Sequence, residues 1–377
     1  IMDIFAFGIK IVENFIICAT IIFIISISTS GFLMPKINNL GLRMNVIDIP
    51  NTRKQHTKKI VRLGGLGIYF GFLTGIFFLL VIRIFFSKDI FELNQLIPII
   101  LGSGFLFLLG ISDDFKQKNP YLKLILQISI ASLMYSNNVK LEAAAVPFFN
   151  LDISFLNFQE LFIYLFTVFW IVGITNSINW LDGLDGLAAG ISAIISLGLS
   201  INFFHFQQFD LAFILIAFLG STIGFLRFNF YPAKILMGDG GSYFLGGFLS
   251  IISLKGINLI SQLDNAQNES LALPFLVMFL LFCLPLTDLF IVTTSRVFQG
   301  YSPFYPDRRH LHHKMLNLGL SHRDTVILFY GFTQLFVSIS LYINGVEGKL
   351  IFLCLSLILI TLCILYCINF KPKLKKK

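Results

Sequence analysis

Eleven predominantly apolar stretches, most of them near the ~20 residues that a helix needs to cross a bilayer, leave this chain few ways to fold. They lie at roughly 12–34, 63–86, 96–112, 121–135, 161–179, 187–204, 210–228, 242–260, 271–298, 325–344 and 350–369. With 56% hydrophobic and only 13% charged residues, a soluble domain of this size would lack polar surface. The expected architecture is all-α: a polytopic transmembrane helix bundle of ten or eleven spans, in a single domain over residues 1–377. The first run has no small-residue cleavage site after it and reads as a retained span rather than a signal peptide. Cys18, Cys283, Cys354, Cys363 and Cys367 sit inside apolar runs without metal-ligand or disulfide spacing, and read as small hydrophobes.

The polar segments fall into two sets. One comprises 35–62, 113–120, 180–186, 229–241, 299–324 and the tail 370–377, and carries nineteen Lys and Arg; the opposite set carries four. Basic residues gather on the cytoplasmic side of membrane proteins. The first set is therefore expected in the cytoplasm, with the N-terminus outside and the C-terminus inside. This distribution accounts for the net charge of +8 without nucleic acid; the partner it implies is the lipid bilayer. No internal repeat suggests the inverted halves of many transporters.

Four polar stretches share the expected inner side: "SDDFK", "WLDGLDG", "NFYPAKILMGDGGS" and "PDRRHLHHK". Asp113 and Asp114 are adjacent like charges at the end of a span, a pair that attracts a divalent cation or a lysine. In "NSINWLDGLDGLA", Asn176 and Asn179 share one helix face, and Asp182 and Asp185 repeat that spacing, each followed by glycine. In the fourth loop of the set, Pro232 ends a helix, Asp239 is a hard oxygen ligand suited to Mg²⁺, and Ser242 is expected to cap the next span. Its free N–H groups would then receive a phosphate. Arg308 and Arg309 suit anionic oxygens. His310, His312 and His313 lack the i, i+4 helical spacing of a zinc protease, and no cysteine accompanies them. Acids on one flank and Arg and His on the other suggest a bound diphosphate. The first loop adds Asp48, Arg53, His56, Arg62, Gly64 and Gly65.

Taken together, "DIPNTRKQH…RLGG", "DD", "NSINWLDGLDGLA", "PAKILMGDGGS" and "SPFYPDRRHLHH" resemble the polyprenyl-phosphate N-acetylhexosamine-1-phosphate transferases, over nearly the whole chain. The form "HLHH" after "SPFYPDR" is similar to the branch that uses UDP-N-acetylglucosamine. The muramoyl-pentapeptide branch usually has three consecutive histidines and a "PTMGG"-like start. A third acid often follows the aspartate pair in the GlcNAc branch. That position is Gln117 here, so no role for that acid carries over.

The resemblance implies an enzyme of the inner membrane with its site on the cytoplasmic side. It would pass N-acetylglucosamine 1-phosphate from a UDP-sugar to polyprenyl phosphate and release UMP. It further implies Asp113, Asp114, His312 and His313 as catalytic groups. Asp239 and Asp114 would hold Mg²⁺, with Mn²⁺ as an alternative. Asn176, Asn179, Asp182, Asp185, Asn229, Arg308, Arg309 and His310 would bind substrate. The chain leaves open whether the protein is a homodimer. Rival readings are a UDP-N-acetylmuramoyl-pentapeptide phosphotransferase, a glycosyltransferase acting at the sugar carbon, and an ion-coupled transporter. A transporter would place its ionisable groups near mid-span, whereas the acids here gather at the span ends.

Overall fold

The computed structural model describes residues 2–48, 59–85, 93–142, 156–267 and 273–346 apart from 306, and scattered positions from 348 to 360. Arg53, His56, most of the expected last span and the tail 370–377 lie outside the described residues. The helices are α1 (Met2–Arg43), α2 (Gly64–Phe85), α3 (Leu93–Phe115), α4 (Pro120–Ser136), α5 (Leu156–Leu181), α6 (Leu187–His205) and α7 (Phe209–Asn229). They continue with α8 (Gly238–Gln267), α9 (Leu273–Leu281), α10 (Cys283–Phe298), α11 (Leu311–Asn317) and α12 (His322–Ile343). The protein is an all-α polytopic membrane protein. Among the described residues, eight helices are long and apolar enough to cross a membrane, and a ninth span results if α9 and α10 are taken as one. Large side chains such as Ile84, Phe169 and Phe290 are more than two-thirds exposed, which suits a hydrocarbon surround and not water.

Helix α8 is the axis of the bundle. Some 89% of its span is buried, against α3, α5, α2, α6 and α9. Rings from neighbouring helices interleave around it: Phe218 stacks on Phe248 with centroids 4.5 Å apart, and Tyr69 on Phe107 at 4.1 Å.

Several boundaries differ from expectation for identifiable reasons. Helix α1 continues past Pro35 to Arg43, so the first loop begins later than residue 35. It opens into a two-residue antiparallel pair, β1 (Ile47–Asp48) with β2 (Ile60–Val61). The run 271–298 is not one straight helix: α9 and α10 meet at 82°. Pro285, in the first turn of α10, has no N–H to bond back into α9, which is why the ladder breaks there. Helix α4 has 17 residues, about 25 Å at 1.5 Å per residue, shorter than a typical hydrocarbon core.

The expectation that Ser242 caps α8 is incorrect. The helix starts four residues earlier, at Gly238, and Ser242 lies in its second turn, accepting from Asn179 Nδ2 at 2.8 Å. Gly238 takes a left-handed φ of +76° at the turn into the helix, a conformation that costs glycine little. The first amides of α8 are capped from another helix by Asp114.

Candidate active site

Three chain segments meet at the start of α8. Val61 O accepts from Leu236 N at 2.8 Å, Gly64 N donates to Leu236 O at 2.9 Å, and Gly65 N to Met237 O at 2.8 Å. This zip lays "RLGG" along "LMGDGG" and brings Arg62 beside Asp239. The C-terminal end of α3 supplies Asp113 and Asp114, and the first turn of α4 supplies Lys123.

The two adjacent acids have different surroundings. Asp114 has a fully buried side chain. Its Oδ1 accepts from Asp239 N at 2.9 Å and from Arg62 Nε at 3.1 Å, while Oδ2 accepts from Gly240 N at 2.8 Å. Asp113 accepts from Lys118 N at 2.7 Å through Oδ1 and from Lys123 Nζ at 3.1 Å through Oδ2. Asp239 stands between the two cations, with Arg62 Nη2 on Oδ1 and Lys123 Nζ on Oδ2, both at 3.2 Å. The Lys123 ammonium thus bridges Asp113 and Asp239. Among the described residues, no three His, Cys, Asp or Glu side chains converge as a metal site.

Asn179 extends the cluster, its Nδ2 lying 3.4 Å from Asp239 Oδ1. Asn176 donates to Gln127 Oε1 at 2.7 Å. Asp182 is half-buried in the adjoining turn; loss of hydration, reinforced by the charge on Asp239, pushes its carboxyl up to about 7. Asp185 and Asn229 hold loops together. Asp185 Oδ2 accepts from Ala233 N at 2.9 Å, and its own N–H donates to His322 Nε2 at 2.8 Å. Asn229 is buried, accepts from Gly186 N at 2.9 Å and donates to Ile235 O at 3.0 Å.

The histidine loop covers the other flank. His310 is the N-cap residue of α11, and the rings of His310, His312 and His313 lie within 6.5 Å of one another. His312 is 1% exposed, and neither ring nitrogen has a hydrogen-bond partner among the described residues. Its ring fits because residue 183 is glycine: a methyl there would fall 2.5 Å from Nε2. Burial, helped by His313 and His310, lowers the His312 pKa to about 3, and burial lowers that of His313 as well. His312 is therefore a neutral donor–acceptor at physiological pH. Arg309 is tied to Asp307 at 3.3 Å and to Ser295 O at 3.1 Å, and Arg308 is exposed.

A cavity of about 290 Å³ opens between the flanks, with Lys123, Asn176, Asn179, Trp180, Arg296 and His310 in its wall. Lys123, Trp180, Asp288, Arg296 and Asp307 were not singled out from sequence. A charge inside an apolar run is the signal that would have found Lys123, Asp288 and Arg296.

Lys123 and Asn179, which touch the acid cluster, and Arg296 and His310 from the histidine flank share the wall of one cavity, an arrangement suited to a membrane-embedded enzyme. The family described as glycosyl transferase family 4 matches residues 96–257. A probable undecaprenyl-phosphate N-acetylglucosaminyl 1-phosphate transferase of Bacillus subtilis is 32% identical over 308 residues, covering 82% of this chain and 80% of that protein. A decaprenyl-phosphate N-acetylglucosaminephosphotransferase of Mycobacterium leprae is 32% identical, covering 77% and 75%. A phospho-N-acetylmuramoyl-pentapeptide-transferase of Listeria monocytogenes is 37% identical over 157 residues, which is 39% of this chain and 47% of that protein. The chain belongs to the polyprenyl-phosphate N-acetylhexosamine-1-phosphate transferases.

Proposed function

We propose that the protein transfers N-acetylglucosamine 1-phosphate from a UDP-sugar to undecaprenyl or a related polyprenyl phosphate, at the cytoplasmic face of the bacterial inner membrane. The observation that carries this reading is the bridge of Asp113 and Asp239 across one ammonium, at 3.1 and 3.2 Å, in a chain whose full-length relatives bear GlcNAc-1-phosphate transferase names. The similarity to the muramoyl-pentapeptide enzyme covers less than half of the chain, which favours the GlcNAc reading. The loop set with nineteen basic residues favours the cytoplasmic placement.

The donor set fits Mg²⁺, with Mn²⁺ as a substitute. Magnesium in phosphoryl-transfer sites takes one or two protein carboxylates and fills its remaining positions with water and substrate phosphates. Asp113 and Asp239, already gathered about one cation, would hold it. Asp114, whose two oxygens cap the first amides of α8, would stay out of the coordination shell. When bound, the ion would neutralise the diphosphate and polarise the phosphorus under attack.

The protein's own groups do the rest. A phosphate monoester has its second pKa near 6, so the lipid phosphate arrives mostly dianionic and needs orientation more than deprotonation. Asp113 orients it. An oxygen of that phosphate attacks the sugar-linked phosphorus, the bond to the bridging oxygen breaks, and UMP departs with the electron pair. Arg308 and Arg309 offset the charge that grows on UMP, and His312 offers hydrogen bonds to phosphate oxygens.

The test supplies labelled UDP-GlcNAc, polyprenyl phosphate and Mg²⁺ to detergent-purified protein. UMP and a labelled lipid diphosphate are expected. UDP as product would establish transfer at the sugar carbon and overturn the proposal. Isolation of a phosphorylated Asp113 without lipid acceptor would replace direct displacement by a two-step route.

A further inference from the structure

Helix α10 carries two buried charged side chains, Asp288 and Arg296, that the acid cluster does not explain. Asp288 is 1% exposed; its Oδ1 accepts from Leu311 N at 2.6 Å, and its Oδ2 lies 2.7 Å from His310 Nδ1. Arg296, eight residues along, grips Asp307 with Nε and Nη2, both at 3.0 Å, and donates to Pro303 O. Its guanidinium lies 4.9 Å over the Trp180 ring. Arg296 Nη2 also stands 3.5 Å from the second ring nitrogen of His310, Nε2.

These contacts fix a proton. Arginine has donors only, so His310 Nε2 must accept, which leaves the ring proton on Nδ1, 2.7 Å from Asp288 Oδ2. Asp288 at Nδ1 suits the tautomer that Arg296 demands at Nε2, and a hydrogen bond at one ring nitrogen determines what the other can do. We propose that Asp288 is a positioning residue for the transfer reaction: it locks His310 as the Nδ1–H tautomer and turns Nε2, a hydrogen-bond acceptor, toward the cavity. There Nε2 takes a hydrogen bond from a sugar hydroxyl in place of the long 3.5 Å contact with Arg296 Nη2. The inference rests on the proposed reading of the histidine loop as part of the substrate site.

Asp288→Asn tests it. The amide keeps an oxygen for Leu311 N–H but presents its NH₂ to His310 Nδ1, which forces the proton to Nε2. In protein carrying ¹⁵N-histidine, the spectrum holds only six side chains, and His310→Gln identifies the signal. The ring's protonated and unprotonated nitrogens are expected to exchange places in Asp288→Asn. Turnover should fall about a hundredfold, with the KM for UDP-sugar within about threefold of wild type. Within the His310→Gln background, Asp288→Asn should cost no more than about twofold, because the residue acts through the ring. An equal loss in both backgrounds, or an unchanged tautomer, would overturn the proposal and leave Asp288 a structural anchor. If His310→Gln itself turned over like wild type, the reading of the loop would fall, whichever tautomer the ring held.

Discussion

The acid end of the cavity and the histidine loop treat the same difficulty, ionisable groups packed beside a membrane, in opposite ways. At the acid end, all six carboxylate oxygens of Asp113, Asp114 and Asp239 have donors, drawn from Arg62, Lys123, Asn179 and three backbone amides. In the loop, His312 is buried with both nitrogens unpartnered among the described residues. Buried polar groups are rarely left so. The acid end is complete in itself, whereas the loop leaves the nitrogens of His312 open to donors and acceptors that a ligand would bring.

That contrast breaks most visibly at Asp239. Asp239→Asn should reduce turnover by about a hundredfold or more and flatten its dependence on Mg²⁺; an unaltered Mg²⁺ titration would make Asp239 a purely structural acid. Arg62→Gln strips the wholly buried Asp114 of its cation, and breaking a buried pair from one side costs about 3 kcal/mol. A melting temperature equal to wild type would mean that the amides of Asp239 and Gly240 hold Asp114 unaided.

On the loop side the expected effect is smaller and depends on pH. The folded pKa of His312, about 3, lies below its ordinary 6.5. Between these values the unfolded chain binds a proton that the folded one refuses. Stability from this group is complete above pH 6.5, falls as pH drops toward 3, and is about 2 kcal/mol lower at pH 5. Melting curves of wild type and His312→Gln should therefore draw together between pH 7 and 5; a constant gap would mean the ring is not shielded. Gly183→Ala has the mildest effect. Its methyl presses on His312 and should cost about 1 kcal/mol, with KM for the UDP-sugar rising while the response to Mg²⁺ stays unchanged. A shifted Mg²⁺ response would show that the two flanks are mechanically coupled.

The acids and glycines at the ends of apolar runs were readable in the sequence because such residues stand out there, and Asp113, Asp114, Asn179 and Asp239 do come together. The start of α8 was not readable. Ser242 after two glycines has the local look of a cap, whereas the true capping acceptor is Asp114, 125 residues before Asp239, and a cap from another helix leaves no nearby trace. Asp288 and Arg296 were hidden by composition, since a run as apolar as 271–298 reads as a span even with two charges in it. Both charges, with Pro285, belong to a segment that bends away from its first half. The alternation of basic loops gave a topology, but it carries no information about which arginine meets which carboxylate.

The capture of Asp114 by α8 also limits how many oxygens this pocket can offer to a divalent ion. Drawing that carboxylate away would unwind the first turn of α8, so an incoming ion would meet two acidic ligands and would complete its shell with water or with oxygens from a ligand. Ion and diphosphate would consequently strengthen each other's binding, and by linkage the enhancement would be the same whichever arrived first.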